Sequence, residues 1–157
     1  MAQPFIVPVM EALADHLKAV APGLGLEADS IVRSYAPNLT VEALPVGKMC
    51  VIVYFSDAEK DAEEEDLVAG AFWKLTADII HAEKLESLDT SQVDRSVDLH
   101  ERLGDIFDAF ESLTLADGRT AHVKSVTNSD AISQDALEAA ELALGSFTLE
   151  FQVFNPY

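Results

Sequence analysis

The chain has 157 residues, the size of one domain, and 49% of them are hydrophobic, which is enough for a real core and excludes wholesale disorder. Ten Lys and Arg against 28 Asp and Glu give a formal net charge of −18, which excludes attraction to duplex nucleic acid or to an anionic lipid surface. The lone cysteine, Cys50, rules out an intrachain disulfide; inside the apolar run 49–55 it reads as a small buried side chain, acceptable in a reducing compartment.

Residues 1–8 carry no basic stretch ahead of a long apolar one, and no later stretch reaches the ~18 apolar residues of a membrane span, so a soluble, non-secreted protein is expected. Over residues 5–20, Ile6, Val9, Met10, Leu13, Leu17 and Val20 recur at helical spacing, with Glu11, Asp15 and Lys18 on the wet side. Pro4 and Pro8 predict a late start to the regular helix, and Pro22, Gly23 and Gly25 its end.

Ile31, Arg33 and Tyr35 alternate as a weak strand over 29–35, closed by Pro37-Asn38, and 40–47 reads as a connection. Residues 48–55 are apolar on both alternating faces, which predicts a central strand covered on both sides. A long strand is expected over 67–82, with Ala69, Ala71, Trp73, Leu75, Ala77 and Ile79 on one face and Lys74, Thr76 and Asp78 on the other; the frequent Ala and Leu leave a helix as the alternative, against which Phe72-Trp73 and Ile79-Ile80 favour an extended chain. Ser91-Gln92-Val93-Asp94 matches a helix start, and Val93, Val97, Leu103, Ile106, Phe107, Phe110 and Leu113 extend that helix to 113.

Residues 116–119 read as a turn and 119–126 as a short strand broken by Asn128-Ser129-Asp130. Asp135 is read as the cap of a short helix over 135–144 ended by Gly145, and Phe147, Leu149, Phe151 and Val153 then alternate with polar residues as a half-buried closing strand. With neither repeat nor linker, residues 1–157 form one domain in the order α-β-β-β-α-β-(α)-β. The expected class is α+β, an antiparallel or mixed sheet of about four or five strands with two main helices packed on it.

No catalytic constellation emerges. His16, His81, His100 and His122 fall on different elements without H-x-x-x-H or H-E-x-x-H spacing, so each reads as a histidine at the solvent edge rather than a metal ligand. No G-x-S-x-G, Walker or dinucleotide-binding glycine pattern is present, and the carboxylates are too many for two to be singled out as an acid–base pair. An enzyme is not expected, nor a cofactor. The aromatic groups Trp73, Tyr54-Phe55 and Phe147, Phe151, Phe154 have no interleaved basic residues, so they read as core or subunit interface rather than as a nucleobase platform.

The most unusual local feature is the acidic run 57–66, with Asp57, Glu59, Asp61, Glu63, Glu64, Glu65 and Asp66, read as a solvated hairpin loop between two strands. It lacks the glycine and the D-x-[DN]-x-[DN]-G order of a calcium loop, so no metal is expected there. A sharper reading makes the loop an interaction surface that repels DNA moving through a channel, or imitates DNA to occupy a partner's basic groove.

The layout resembles the tail-terminator and tail-completion (head–tail joining) proteins of long-tailed bacteriophages. The resembling parts are the first helix 6–20, the segment Arg33-Ser34-Tyr35-Ala36-Pro37-Asn38, the strand 48–55 after Glu42-Ala43-Leu44, a long strand after a loop, the helix 93–113 and the final strand 147–154. The resemblance implies a small α+β subunit of a homo-oligomeric ring, commonly a hexamer, at the head-proximal end of the tail tube. Such a ring stops tube polymerisation and contacts the tube protein and a head-completion or connector protein. DNA passes through its bore without specific binding, and no membrane is involved. The place implied is the virion tail or neck, assembled in the host cytoplasm. The alternative reading is an acidic adaptor or nucleic-acid mimic that inhibits a host protein, since acids also mark the helices at Glu11, Asp15, Asp98, Asp105 and Asp108.

Overall fold

A computed structural model describes residues 4–35, 49–66, 70–86, 89–130 and 132–156. Their helices are α1 (Ile6–Val20), α2 (Thr90–Asp108) and α3 (Gln134–Ala140). The strands are β1 (Ile31–Ser34), β2 (Met49–Asp66), β3 (Gly70–Lys84), β4 (Ser112–Thr114), β5 (Thr120–Asp130) and β6 (Leu142–Pro156). They form one mixed sheet in the order β1-β2-β3-β6-β5-β4, in which only the β1–β2 pairing is parallel. This is the α+β class expected, with six strands rather than four or five. The expected connection over 40–47 lies outside the described residues, as does the Cys50 side chain.

Register follows from period-two patterning. β3 and β6 pair from Gly70 opposite Pro156 to Lys84 opposite Leu142. Leu75, Ala77 and Ile79 share one sheet face with Phe147, Leu149, Phe151 and Val153, all buried. Onto that face α1 brings Val9, Met10, Leu13 and Leu17, and α2 brings Leu99, Leu103 and Phe107, completing one core. The opposite face carries Lys74, Thr76, Asp78, Thr148 and Glu150, with Thr148 Oγ1 donating to Asp78 Oδ1 at 2.7 Å. Most of the aromatic rings act as packing groups, as expected: Phe147 and Phe151 are fully buried, Phe5 packs on Trp73 at 5.3 Å, and Phe72 meets Phe154 at 5.2 Å on the other face.

Local chemistry corrects several predicted boundaries. α1 starts at Ile6, not late, because Pro8 is its third residue and an N–H there has no intrahelical acceptor; the first bond runs from Val9 N to Phe5 O at 3.0 Å. α2 is capped by Asp89, whose side chain accepts from Ser91 N, rather than starting at Ser91. It also ends at Asp108, not 113. Residues 112–115 read S-L-T-L, with Leu113 and Leu115 buried and Ser112 and Thr114 exposed, a strand alternation that pairs with β5. α3 is capped by Ser133, not Asp135, and the left-handed Glu141 (φ 51°) ends it, so Gly145 belongs to β6. The expected break at Asn128-Ser129-Asp130 is a register shift within β5.

Gly104 occupies the interior of α2, where a glycine weakens a helix through its backbone entropy. A Cβ there would lie 3.6 Å from Phe147 Cε1, an ordinary van der Waals contact. Gly104→Ala is therefore expected to stabilise the fold by about 0.5–1 kcal/mol in urea denaturation, since it fits without displacing the ring.

Candidate functional site

The acidic run is strand, not loop. Residues 57–66 contain no Gly, Pro or Asn to break the chain, and β2 runs on to Asp66: 57–60 and 65–66 pair with β3, with a bulge after Phe55 and a wider irregularity over 61–64, which have no register partner on β3. Ladder bonds to β3 outweigh the poor strand preference of Asp and Glu. Asp57 lies opposite Thr76 and Glu59 opposite Lys74, so both exposed carboxylates share the polar face with Asp78 and Glu150. Lys74 Nζ bridges Glu59 at 3.8 Å and Glu150 at 4.0 Å, a loose triad spanning β2, β3 and β6. Asp61, Glu63, Glu64, Glu65 and Asp66 continue the strand, with Glu65 opposite Ala71 and Asp66 opposite Gly70. β1 pairs only with Val51, Ile52, Val53 and Tyr54. Among the described residues, the rest of β2 has β3 as its only strand neighbour, so the acidic half of the hairpin forms an edge of the sheet.

A second acidic surface lies on α2. Asp94, Asp98, Glu101, Asp105 and Asp108 are all exposed and recur at spacings of four and three, a row about 21 Å long at 1.5 Å per residue. Arg102 pairs with Asp98 at 3.1 Å. Glu11 and Asp15 are exposed one turn apart on α1.

Two of the histidines correct the expectation for them. His81 and His100 are each 2% exposed and meet across the seam between β3 and α2, His81 Nε2 lying 2.7 Å from His100 Nδ1. His100 Nε2 lies 2.8 Å from Asn128 Oδ1 on β5, and its ring stacks on Phe147 with centroids 4.1 Å apart. Asn128 Oδ1 can only accept, so His100 donates to it from Nε2, and the other ring nitrogen, Nδ1, shares the hydrogen bond with His81 Nε2. Burial and the neighbouring His100 push the His81 pKa down to about 4.

Two residues along the same strand face, the buried Glu83 carboxylate accepts from Ser96 Oγ at 3.0 Å and pairs with Arg95, both on α2. The parity that puts Leu75, Ala77 and Ile79 in the core carries on to His81 and Glu83, and His100 lies among the buried Ser96, Leu99 and Leu103 of α2. That periodicity was the sequence signal for both histidines. The network fastens α2 to the sheet through satisfied buried polar groups. His16 is half-buried against Phe110 at 4.7 Å, with its pKa lowered by burial, and His122 is exposed as expected.

Among the described residues, no group of three or more His, Cys, Asp or Glu side chains is placed to hold a metal ion, and no helix is long and apolar enough to cross a membrane. Neither a family model nor a curated protein matches the chain. Among solved structures, the chain is similar to one from "Virion of native gene transfer agent (GTA) particle", with a TM-score of 0.44 and 12% sequence identity, covering 96% of this chain and 96% of that one.

The network has a pH consequence. His81 has a native pKa of about 4 against 6.5 for the free side chain, so between those values the unfolded chain binds the extra proton and stability falls as pH falls. The full loss from pH 7 to below pH 4 is about 3 kcal/mol for this one group. Protonation of the many carboxylates acts the other way by relieving self-repulsion, so the expected signature is differential. Denaturant titrations from pH 7 to 4 should show the native chain losing stability relative to His81→Leu, which is less stable at pH 7 but has the flatter profile.

Proposed function

We propose that this chain is a non-catalytic structural component of a virion, of the tail-terminator kind. It forms a closed ring of six copies at the head-proximal end of a tail tube, ends tube polymerisation and receives the head connector. The observation that carries the reading is the β2–β3 hairpin: a small α+β subunit, with the element layout of that family, sends an acid-bearing strand beyond the reach of β1 as an edge.

In a ring, such an edge facing the bore repels DNA phosphates and lowers their retention, so the duplex slides without specific contacts. The partners are further copies of this chain, the tube protein below and a head-completion or connector protein above. The role requires no cofactor and no membrane, and its place is the tail or neck of the particle. Six copies at −18 each would carry roughly −108 formal charges, so closure depends on apolar burial at the interfaces and on salt.

The row of five carboxylates on α2 favours a second reading, an acidic adaptor that occupies the nucleic-acid groove of a host protein. Native mass across salt separates the two. The ring reading predicts a monomer at low salt and a six-subunit species as salt rises past about 0.15 M, where screening shortens the reach of repulsion to ~8 Å. It also predicts that replacing Asp57, Glu59, Asp61, Glu63, Glu64, Glu65 and Asp66 by Ser lowers the salt needed. A monomer at every salt, alone and with tube protein, contradicts the ring and favours the adaptor.

A further inference from the structure

A cleft of about 440 Å³ lies between α1 and β4, lined by Glu11, Asp15 and His16 from the helix and by Ser112, Leu113 and Thr114 from the strand. Its volume is in the range of ligand clefts. Its strand wall is an unpaired edge. Val123 N donates to Glu111 O at 2.9 Å and Leu115 N donates to Arg119 O at 2.8 Å, so residues 111, 113 and 115 turn their backbone groups toward β5. In an antiparallel ladder the intervening residues face the other way, so Ser112 and Thr114 direct their N–H and C=O groups outward. β4 is the last strand of the sheet among the described residues, and both residues are exposed.

The helix wall is anionic. Glu11 and Asp15 stand one turn apart, about 6 Å along the helix. Asp15 has no ion-pair partner among the described residues. Glu11 makes only a loose, exposed contact with Arg33 at 3.6 Å. Among the described residues no Lys or Arg lines the cleft, and burial lowers the pKa of the His16 imidazole, which packs against Phe110. Side chains two residues apart on an extended chain are separated by about 6.6 Å, close to the spacing of the two carboxylates.

We propose that this cleft takes an extended segment of another protein, which adds as a strand to β4 at Ser112 and Thr114 and presents two basic side chains, two residues apart, to Glu11 and Asp15. The backbone bonds supply the docking geometry and the carboxylates select the charge. The inference concerns a surface away from the acidic hairpin and stands whether or not the chain closes into a ring.

The test is titration of the full chain with a blocked heptapeptide alternating Thr and Lys, followed by backbone amide NMR, with the Thr and Glu counterpart as control. The expected result is saturable shifts concentrated at Ser112, Thr114, Glu11 and Asp15, with the Glu peptide inert. Glu11→Gln with Asp15→Asn should weaken binding roughly fivefold or more, the effect of losing two partly exposed ion pairs. Thr114→Pro, which removes an outward N–H, should abolish the shifts at the strand; if that variant misfolds, the doubly neutralised helix still decides.

Three results would overturn the proposal. One is the absence of localised shifts at millimolar peptide. Another is equal response to the Glu peptide, or shifts spread over the α2 acid row. The third is concentration-dependent shifts at Ser112 and Thr114 without peptide, which would make a second copy of this chain the occupant.

Discussion

The long antiparallel pairing of β3 with β6 is the constraint on which the remaining structure depends. Its unbroken register fixes which residues of both strands face the helices. A slip of β3 by one residue would turn Leu75, Ala77 and Ile79 to the polar face and bring Lys74 and Asp78 under α1 and α2. The cost of burying those charges against the gain from the apolar set makes the register unique. With the two central strands fixed, β2 and β5 add on either side, and the short β1 and β4 leave parts of both exposed as edges.

The same parity explains how a strongly acidic chain holds a helix against its sheet. The outer side of α2 repels itself along its carboxylate row, while its inner side is held by Leu99, Leu103 and Phe107 and by two polar fasteners. Glu83 is one of them, a buried carboxylate that accepts from Ser96 and pairs with Arg95; the chain of Asn128, His100 and His81 is the other. Both are satisfied internally, so neither carries the penalty of an orphaned buried group. Charge is thereby sorted outward, to Asp57 and Glu59 on the hairpin and to the carboxylate row of α2, where solvent screens it.

Much of the fold was legible in the sequence because apolar side chains repeat with the period of the element that carries them. The alternation at 71–79 and 147–153 and the helical stripe at 9–17 mark the middles of β3, β6 and α1. At three further places chain continuity and element face decide the structure against residue type. The acids at 57–66 suggest a loop, but no residue there stops a strand. Leu113 fitted a helical stripe only when its neighbours Ser112, Thr114 and Leu115 were left out. As polar residues His81 and His100 suggest the solvent edge, but each sits on the apolar face of its own element. Their meeting depends on the approach of α2 to β3, which local spacing does not encode. Likewise the α1–β4 cleft joins residues about one hundred positions apart and depends on a strand the periodicity had absorbed into a helix.

The proposed role would join a geometric property, open sheet edges on which copies could assemble, with an electrostatic one, an acidic surface that repels DNA phosphates. The most direct test of its central claim is electron microscopy of tail-tube protein polymerised with and without this chain. The account predicts tubes that stop lengthening once the chain is added and carry a ring of extra density at one end. Tubes that keep growing with bare ends at saturating amounts of the chain would contradict it.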